Sequence, residues 1–269
     1  MSPNTKDRDA IGIFDSGVGG LTVLHELTRA LPAESFVYLG DTGRYPYGNK
    51  SPETVTRYSL ENAAFLVDKG IKVLVVACNS SSSVALGALQ AECPVPVVGV
   101  IEPGAKAAVA RSENGRVGVI GTEVTIASGV YSRALRRLSP ALEIYSRACP
   151  LFVPLAEEGW TENEIAKATI ALYLGSVAKS GIDTLILGCT HYPLLKSAIS
   201  DFLGKKVSLV DSAEETARAV REMLRGLGLV RRRGRGSASF FVTDIPDRFV
   251  KVGRRFLGER VESAVRIER

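Results

Sequence analysis

Two of the four cysteines stand among residues that favour thiol chemistry. Cys78 opens the polar run Cys-Asn-Ser at 78–80, and Cys189 opens Cys-Thr-His at 189–191. A free cysteine usually packs as a small hydrophobe, but packing does not explain hydroxyls, an amide and an imidazole beside the two thiols. Each cysteine follows an apolar run and precedes a helical pattern, which predicts a thiol near a helix N-terminus, where the thiolate is favoured. His191 is a candidate acid–base partner of Cys189.

The other cysteines and the second histidine are predicted to have structural roles. Cys93 and Cys149 each precede a proline and lack polar neighbours, so we expect them to pack in the core. His25 lies in a helical pattern of leucines and is expected to be a partly exposed helix residue. The cysteines show no zinc spacing, which predicts no metal site, and they are too sparse for a disulfide scaffold, which favours a reducing compartment.

A pair of strand-end thiols suits proton transfer better than hydrolysis. A thiol hydrolase takes its histidine from a distant segment, and a second equivalent cysteine would have no role in it. Inversion of a stereocentre needs two acid/base groups on opposite sides of a planar intermediate, one deprotonated and one protonated at the outset. The pKa of a thiol, ordinarily about 8.5, is lowered by a helix N-terminus or a cation, so a thiolate and a thiol can coexist near neutral pH.

Short apolar runs alternate with longer helical patterns, which predicts βαβ units and an α/β fold. The candidate strands form two sets of four, and each member of the second set begins 106 to 111 residues after its counterpart. We therefore expect two similar parallel-sheet lobes, a pseudo-symmetric repeat with the active site in the cleft between them, because ligands bind at the carboxyl ends of parallel strands. The predicted strands are 11–14, 36–39, 73–77, 97–101, 117–120, 142–145, 184–187 and 207–210, followed by a strand at 240–242 and a helix at 247–257.

The turn after the first predicted strand is rich in glycine but does not predict a nucleotide site. Its sequence from Asp15 is Asp-Ser-Gly-Val-Gly-Gly, and a dinucleotide fingerprint would need glycine where Thr22 stands. The Asp15 carboxylate would also repel a phosphate. We expect the glycines to let the backbone approach a small ligand, while Asp15 pairs with a cation or orients a polar group.

Composition excludes several classes of protein. The chain has 269 residues, 45% of them apolar and 23% charged, with a formal net charge of +5, so it is neither disordered, nor collagenous, nor a coiled coil. The polar start of the chain is unlike an export signal, and no apolar run approaches the length that spans a bilayer, so we expect a cytoplasmic protein. The basic segment 231–236 reads as a solvated loop in preference to a phosphate or nucleic-acid patch, because no aromatic residues accompany it.

Five ordered motifs resemble the glutamate racemases, a family within the aspartate/glutamate racemase superfamily, and the resemblance covers nearly the whole chain. The motifs are IGIFDSGVGG at 11–20, GDTGRYPYG at 40–48, ACNS at 77–80, GTEVT at 121–125 and GCTHYP at 188–193. The resemblance implies an isomerase that interconverts L-glutamate and D-glutamate without pyridoxal phosphate or another cofactor. Such an enzyme supplies D-glutamate for peptidoglycan synthesis, and thereby for cell wall biogenesis and cell shape.

The resemblance also implies a role for each matching residue. Cys78 would be the base acting on D-glutamate with help from Asp15, and Cys189 the base acting on L-glutamate with help from His191. Glu157 resembles an acidic residue that supports the second thiol. The implied substrate contacts are Asp15, Ser16, Tyr47, Gly48, Asn79, Ser80, Thr122, Thr125, Thr190 and His191.

One residue departs from the family pattern, which commonly has threonine where this chain has Ser80. Serine keeps the hydroxyl, so we expect the contact to survive without the methyl group. The resemblance further implies a discontinuous first lobe, 1–99 plus 211–269, around a second lobe at 100–210. The expected partner is the small-molecule substrate, with neither nucleic acid nor membrane, and the sequence leaves homodimerisation open.

Three alternatives to this interpretation stay open at the level of sequence. An aspartate racemase or a maleate isomerase of the same superfamily would need a smaller pocket or covalent attack by one cysteine. A periplasmic-type binding protein would share two α/β lobes but would need an export signal and no paired thiols. A nucleic-acid module would rest on the segment 231–236 alone, and its binding would be sensitive to salt.

Overall fold

The computed structural model describes residues 10–268, and within them the chain alternates between strands and helices. Residues 1–9, on which the argument against an export signal partly rests, lie outside the described part. The strands are β1 (Ala10–Asp15), β2 (Phe36–Gly40), β3 (Ile71–Val76), β4 (Val97–Gly99), β5 (Arg116–Gly121), β6 (Glu143–Ala148), β7 (Thr184–Gly188), β8 (Ser208–Asp211), β9 (Ala238–Val242) and β10 (Val265–Arg266). The helices are α1 (Leu21–Ala30), α2 (Pro52–Asp68), α3 (Asn79–Val84), α4 (Leu86–Glu92), α5 (Ile101–Arg111), α6 (Glu123–Ala127), α7 (Val130–Leu138), α8 (Phe152–Glu158), α9 (Glu164–Lys179), α10 (Lys196–Leu203), α11 (Ser212–Gly226) and α12 (Pro246–Leu257).

The strands form two parallel sheets with the same internal order. The first sheet runs β10-β9-β2-β1-β3-β4 and the second runs β6-β5-β7-β8, so 2-1-3-4 in the first matches 6-5-7-8 in the second. The α/β fold with two similar parallel-sheet lobes is confirmed. Because all the strand pairs are parallel, the carboxyl ends of β1 and β3 lie at one edge of their sheet, and those of β5 and β7 at the matching edge of the other.

The apolar faces of the strands and helices divide into three main layers of core. The central layer joins residues of both sheets, such as Ile13 and Val119, with apolar residues of α1, α5, α11 and α12. A second layer packs α2 and α4 on the far face of the first sheet, and a third packs α8 and α9 on the far face of the second. The cores of the two sheets are therefore continuous, which fixes the two strand edges relative to each other.

The predicted strands lie where the sequence places them, with small differences at their ends. The strand predicted at 97–101 ends at Gly99, because Ile101 begins α5 and is buried by that helix. The two-residue strand β10 was not predicted, since so short a run carries no periodicity. The C-terminal helix predicted at 247–257 begins one residue earlier, at Pro246.

The C-terminal part of the chain adds to the first sheet. β9 pairs with β2 over its whole length, and β10 pairs with β9. The predicted lobe boundaries, 1–99 plus 211–269 for the first lobe and 100–210 for the second, stay a prediction. The place of β9 and β10 in the first sheet supports it.

The basic segment before β9 is attached to the first lobe at both ends, by Arg231 and by the Gly236 backbone N–H, which donates to the Pro32 carbonyl at 3.2 Å. The Arg231 backbone N–H donates to Glu34 at 2.7 Å, and its guanidinium donates to the Ser35 hydroxyl at 3.0 Å. Glu34 in turn pairs at 2.8 Å with Lys72, both side chains being 1% exposed. The other arginines of the segment are exposed. Within residues 10–268, the helices are too short or too polar to cross a bilayer.

Candidate active site

The two strand-end cysteines open into one cavity between the lobes. Cys78 follows β3 and is 5% exposed, and Cys189 follows β7 and is 6% exposed. The cavity has a volume of about 310 Å³. It is lined by Ser16, Tyr45, Pro46, Tyr47, Gly48, Asn49, Cys78, Asn79, Ser80, Thr122, Glu123, Pro150, Val153, Pro154, Cys189, Thr190 and His191.

Most of the predicted site residues line this cavity, and three stand behind its wall. Both cysteines, His191 and seven of the predicted substrate contacts are on the surface of the cavity. Asp15, Thr125 and Glu157 are not, but each contacts a residue that is: Asp15 contacts Thr190, Thr125 contacts Thr122, and Glu157 contacts His191.

A histidine and a carboxylate form a chain of contacts that starts at the Cys189 sulfur. The His191 Nδ1 atom lies 3.9 Å from the Cys189 sulfur, and its Nε2 lies 3.1 Å from Glu157 Oε1. Burial lowers the pKa of His191, but the hydrogen bonds and charges of Cys189 and Glu157 outweigh it and raise the pKa to about 10. Burial raises the pKa of Glu157, but its contacts with His191, Tyr45 and Arg248 together outweigh this, so the pKa is lowered overall. This environment favours the imidazolium form of His191.

Cys78 has a different environment. Burial and the negative charge of Asp15 raise the pKa of the Cys78 thiol to about 11, against the opposing hydrogen bonds of Ser81 and Ser16. The Ser81 hydroxyl is buried and has no nitrogen or oxygen partner within the described part of the chain, so the sulfur is its available acceptor. The raised pKa favours the thiol form of Cys78 at neutral pH. The Ser81 and Ser16 hydrogen bonds would stabilise its thiolate when it forms.

The two thiols differ in their relation to helices. Cys78 is the N-cap residue of α3, and the Ser81 backbone N–H faces its sulfur, as the sequence predicts. Cys189 also precedes a helix, but less closely: a 3-10 helix (Tyr192–Leu195) with His191 as its N-cap leads into α10, so Cys189 is not itself the cap residue. The neighbouring cation at Cys189 is the imidazolium instead.

The glycine-rich turn after β1 packs closely against the turn that follows Cys189. A Cβ at Gly19 would clash with the Thr190 hydroxyl and lie 2.5 Å from the His191 ring. The Thr22 hydroxyl donates to the Thr190 carbonyl at 3.1 Å. The prediction that these glycines admit a small ligand is therefore wrong at Gly19, where residues of the other lobe take the space.

Asp15 organises this contact between the lobes. It is fully buried and accepts the Gly17 backbone N–H at 3.0 Å and the Thr190 hydroxyl at 3.4 Å. Burial raises the pKa of Asp15, and the positive charge of His191 opposes that rise. Asp15 therefore combines the two roles predicted as alternatives: it orients polar groups, and it faces a cation.

Hydroxyl groups from both lobes also meet in the lining of the cavity. The Ser80 hydroxyl lies 3.0 Å from that of Thr122, which is 3.1 Å from that of Thr125. A Cβ at Gly48 would lie 2.7 Å from the Thr122 Cβ, so glycine is required for this approach. Tyr47 is fully buried. Its hydroxyl bonds to the buried Asp41 carboxylate.

Sequence reasoning missed several residues of the cavity. Tyr45 and Glu123 add polar groups, and Pro150, Val153 and Pro154 form an apolar wall. Tyr45 also shares the Glu157 carboxylate with His191, and burial together with that carboxylate raises the pKa of its phenol. The position of Tyr45 two residues before Tyr47 was the available signal, since both belong to one loop.

The residues predicted to be structural lie away from the cavity surface. Cys149 is fully buried in the core of the second lobe, and burial raises its pKa to about 12. Cys93 is partly buried against the core of the first lobe. His25 is a partly exposed residue of α1, as predicted.

Comparison with known proteins places this geometry among the racemases. The family model described as Asp/Glu/hydantoin racemase matches residues 11–220. The glutamate racemase of Geobacter metallireducens is 61% identical over 253 residues, which cover 94% of each chain. The similarity thus extends over the two lobes and the residues that line the cavity.

Solved structures with the same fold include several glutamate racemases. A glutamate racemase isoform from Bacillus anthracis superimposes with a TM-score of 0.94 at 41% identity, covering 97% of this chain and 98% of the other. The glutamate racemase from Francisella tularensis, solved in complex with D-glutamate, gives a TM-score of 0.91 at 35% identity with the same coverage.

Proposed function

This chain belongs to the Asp/Glu/hydantoin racemase family, and we propose that Cys78 and Cys189 carry its interconversion of L-glutamate and D-glutamate. The observation that supports these roles is that both thiols line one cavity. They follow β3 and β7, the strands that correspond in the repeated sheet order, so the two lobes present them from opposite sides. A substrate held between them has one thiol on each face of its Cα.

In the direction from L-glutamate, Cys189 takes the Cα proton and Cys78 delivers a proton to the other face. The His191 imidazolium, 3.9 Å from the Cys189 sulfur, stabilises the thiolate that begins the step. Glu157 keeps His191 charged and fixes its ring by the 3.1 Å hydrogen bond. Cys78 starts as a thiol, since its pKa is raised to about 11, and is ready to donate.

In the direction from D-glutamate the protonation states are reversed: Cys78 begins as the thiolate and takes the Cα proton, while Cys189 begins as the thiol and delivers its proton to the other face. The Ser81 and Ser16 hydroxyls stabilise the Cys78 thiolate. Asp15, whose pKa is raised by burial, assists as a nearby group able to take up a proton. Asp15 stands behind the cavity wall, so we assign its assistance to orientation and proton uptake, with the substrate contact made by Ser16.

Neutral donors hold the substrate carboxylates. Ser16, Asn79, Ser80, Thr122 and Thr190 present amide or hydroxyl groups to the cavity. Tyr47, Gly48 and His191 complete the predicted contacts, and Thr125 orients Thr122. Such fixed dipoles in a partly dehydrated site stabilise the charge that develops on the substrate as its Cα loses a proton.

Purified protein offered L-glutamate and, separately, L-aspartate without added cofactor tests this function. Loss of circular dichroism toward the racemic value is expected with L-glutamate, and much slower loss with L-aspartate. Faster racemisation of L-aspartate would contradict the substrate assignment, and no change with either would contradict the reaction itself.

The product indicates the role of the enzyme in the cell. D-glutamate supplies peptidoglycan synthesis, and we place the reaction in the cytoplasm with glutamate as its partner. Depletion of the protein in its host should therefore weaken the wall and change cell shape unless D-glutamate is supplied. The homodimer that the sequence leaves open is measured separately by sedimentation equilibrium.

A further inference from the structure

One buried tyrosine connects the two lobes beside the cavity. Tyr131 lies on α7 in the second lobe and is 2% exposed. Its hydroxyl donates to Asn79 Oδ1, at the start of α3 in the first lobe, at 2.7 Å. Burial raises the pKa of this phenol, so it keeps its proton and acts as a donor. No role for Tyr131 follows from the sequence motifs.

The hydrogen bond leaves one half of the Asn79 amide without a partner. Asn79 is 2% exposed and lines the cavity, and its Nδ2 has no hydrogen-bond partner within the described part of the chain. Because Oδ1 accepts the Tyr131 hydroxyl, the N–H groups on Nδ2 point away from that hydroxyl. A buried donor without a partner is unfavourable, so this one is suited to an acceptor that enters the cavity, such as a substrate carboxylate.

The same ring lies against the segment of the second catalytic cysteine. A Cβ at Gly188, the residue before Cys189, would lie 3.1 Å from the Tyr131 ring. On its other edge, a Cβ at Gly104 would lie 3.6 Å from the ring. Tyr131 therefore contacts the residue after Cys78 and packs beside the residue before Cys189.

We propose that Tyr131 is a positioning residue, which fixes the Asn79 amide with its N–H groups available to a glutamate carboxylate and holds the two cysteine segments in register. This inference rests on the proposed function, because it takes the ligand of Asn79 to be glutamate. Tyr131 acts through Asn79 and does not line the cavity itself. Its effect is therefore on substrate binding more than on the proton transfers.

A double-mutant cycle separates this role from general packing. Tyr131→Phe keeps the ring and removes the hydroxyl, and Asn79→Ala removes the amide that the hydroxyl orients. We expect Tyr131→Phe to raise KM for glutamate about tenfold, equivalent to about 1.4 kcal/mol, with kcat changed less than threefold. In the Asn79→Ala background the same change should alter KM less than twofold, because the group it acts on is gone.

Tyr192→Phe is the matched control. Tyr192 is also fully buried, and its hydroxyl donates to the Cys149 carbonyl at 2.8 Å, with no bond to Asn79. Any change in KM caused by Tyr192→Phe should be the same in the wild-type and Asn79→Ala backgrounds. Thermal melting of every variant reports any loss of packing.

Two outcomes of the kinetic cycle overturn the inference while leaving the proposed function intact. An equal factor for Tyr131→Phe in both backgrounds would make Tyr131 a packing residue, as would a fall in kcat with unchanged KM. The same cycle measured as Kd for L-glutamate by calorimetry needs no turnover, and coupling between Tyr131 and Asn79 in that assay supports the inference. Wild-type protein that neither binds nor racemises glutamate would instead refute the proposed function, and the inference with it.

Discussion

Glu157→Gln tests whether the carboxylate behind His191 contributes to the reaction. The substitution keeps the size of the side chain and a hydrogen-bond acceptor for His191 Nε2, but removes the negative charge. Glu157 is 12% exposed, so its charge is only partly screened by water, and it contacts the imidazole at 3.1 Å. The expected consequence is an imidazolium that loses its proton more easily.

The size of the effect follows from the loss of an opposite charge. The imidazolium still donates to the new amide oxygen, but it loses the attraction of a carboxylate at hydrogen-bond distance, which is roughly 1.4 kcal/mol at the low end of the usual range of about 1–3 pKa units. Because one pKa unit corresponds to about 1.36 kcal/mol, the pKa of His191, raised to about 10, should fall by about one unit. If the same free energy is lost from the transition state, kcat/KM falls about tenfold.

The assay is kcat/KM as a function of pH, by circular dichroism. In the proposed mechanism the charged imidazolium is needed for activity, so in the wild type activity should fall as pH rises through about 10. In Glu157→Gln that alkaline limb should move about one unit lower. Both enantiomers must show the same profile, because they have equal free energy in water and the equilibrium constant is one.

Arg248→Ala provides the control for this charge. Arg248 is the other ion partner of Glu157, at 3.8 Å, but its side chain is 65% exposed, so solvent screens the pair. We expect this variant to change kcat/KM less than twofold and to leave the alkaline limb in place. A Glu157→Gln enzyme with wild-type rate and an unmoved limb would refute the argument that Glu157 keeps His191 charged.

The cysteines and the expectation that no cofactor is needed give the remaining predictions. Cys78→Ala and Cys189→Ala should each abolish racemisation in both directions without unfolding the protein, since a proton removed on one face must be replaced on the other; normal turnover by either folded variant would contradict the paired thiols. Cys93→Ala and Cys149→Ala should keep the chemical step and lose at most about one or two kcal/mol of stability, measured by thermal melting. Activity should also survive dialysis against a chelator, with no pyridoxal absorbance, and revival of inactive protein by pyridoxal phosphate would overturn this expectation.

Sequence reasoning succeeded where a physical pattern is local. Parallel strands buried on both faces appear as short apolar runs, so the eight strands of the repeat and their spacing are visible in the chain. Since the carboxyl ends of such strands meet at a sheet edge, the cavity position of Cys78 and Cys189 follows from the sequence as well. The residue roles came from the family resemblance.

Contacts between the lobes could not be predicted from local sequence patterns. Gly19 looks like a residue that admits a ligand, but its lack of a side chain makes room for His191, which lies 172 residues later. Tyr131 appears in the sequence as one more apolar helix residue, and its bond to Asn79 depends on how the two sheets are packed. The helix predicted after Cys189 begins with a 3-10 segment that contains Pro193 before it continues as α10.

Racemisation of L-glutamate in D₂O tests most directly whether one thiol serves each face. If Cys189 removes the proton and Cys78 delivers a different one from solvent, early D-glutamate should carry deuterium at Cα while the remaining L-glutamate stays largely protiated. Mass spectrometry of the two separated enantiomers during the first few per cent of conversion measures both quantities. Rapid appearance of deuterium in the unreacted L-glutamate would contradict the two-base account.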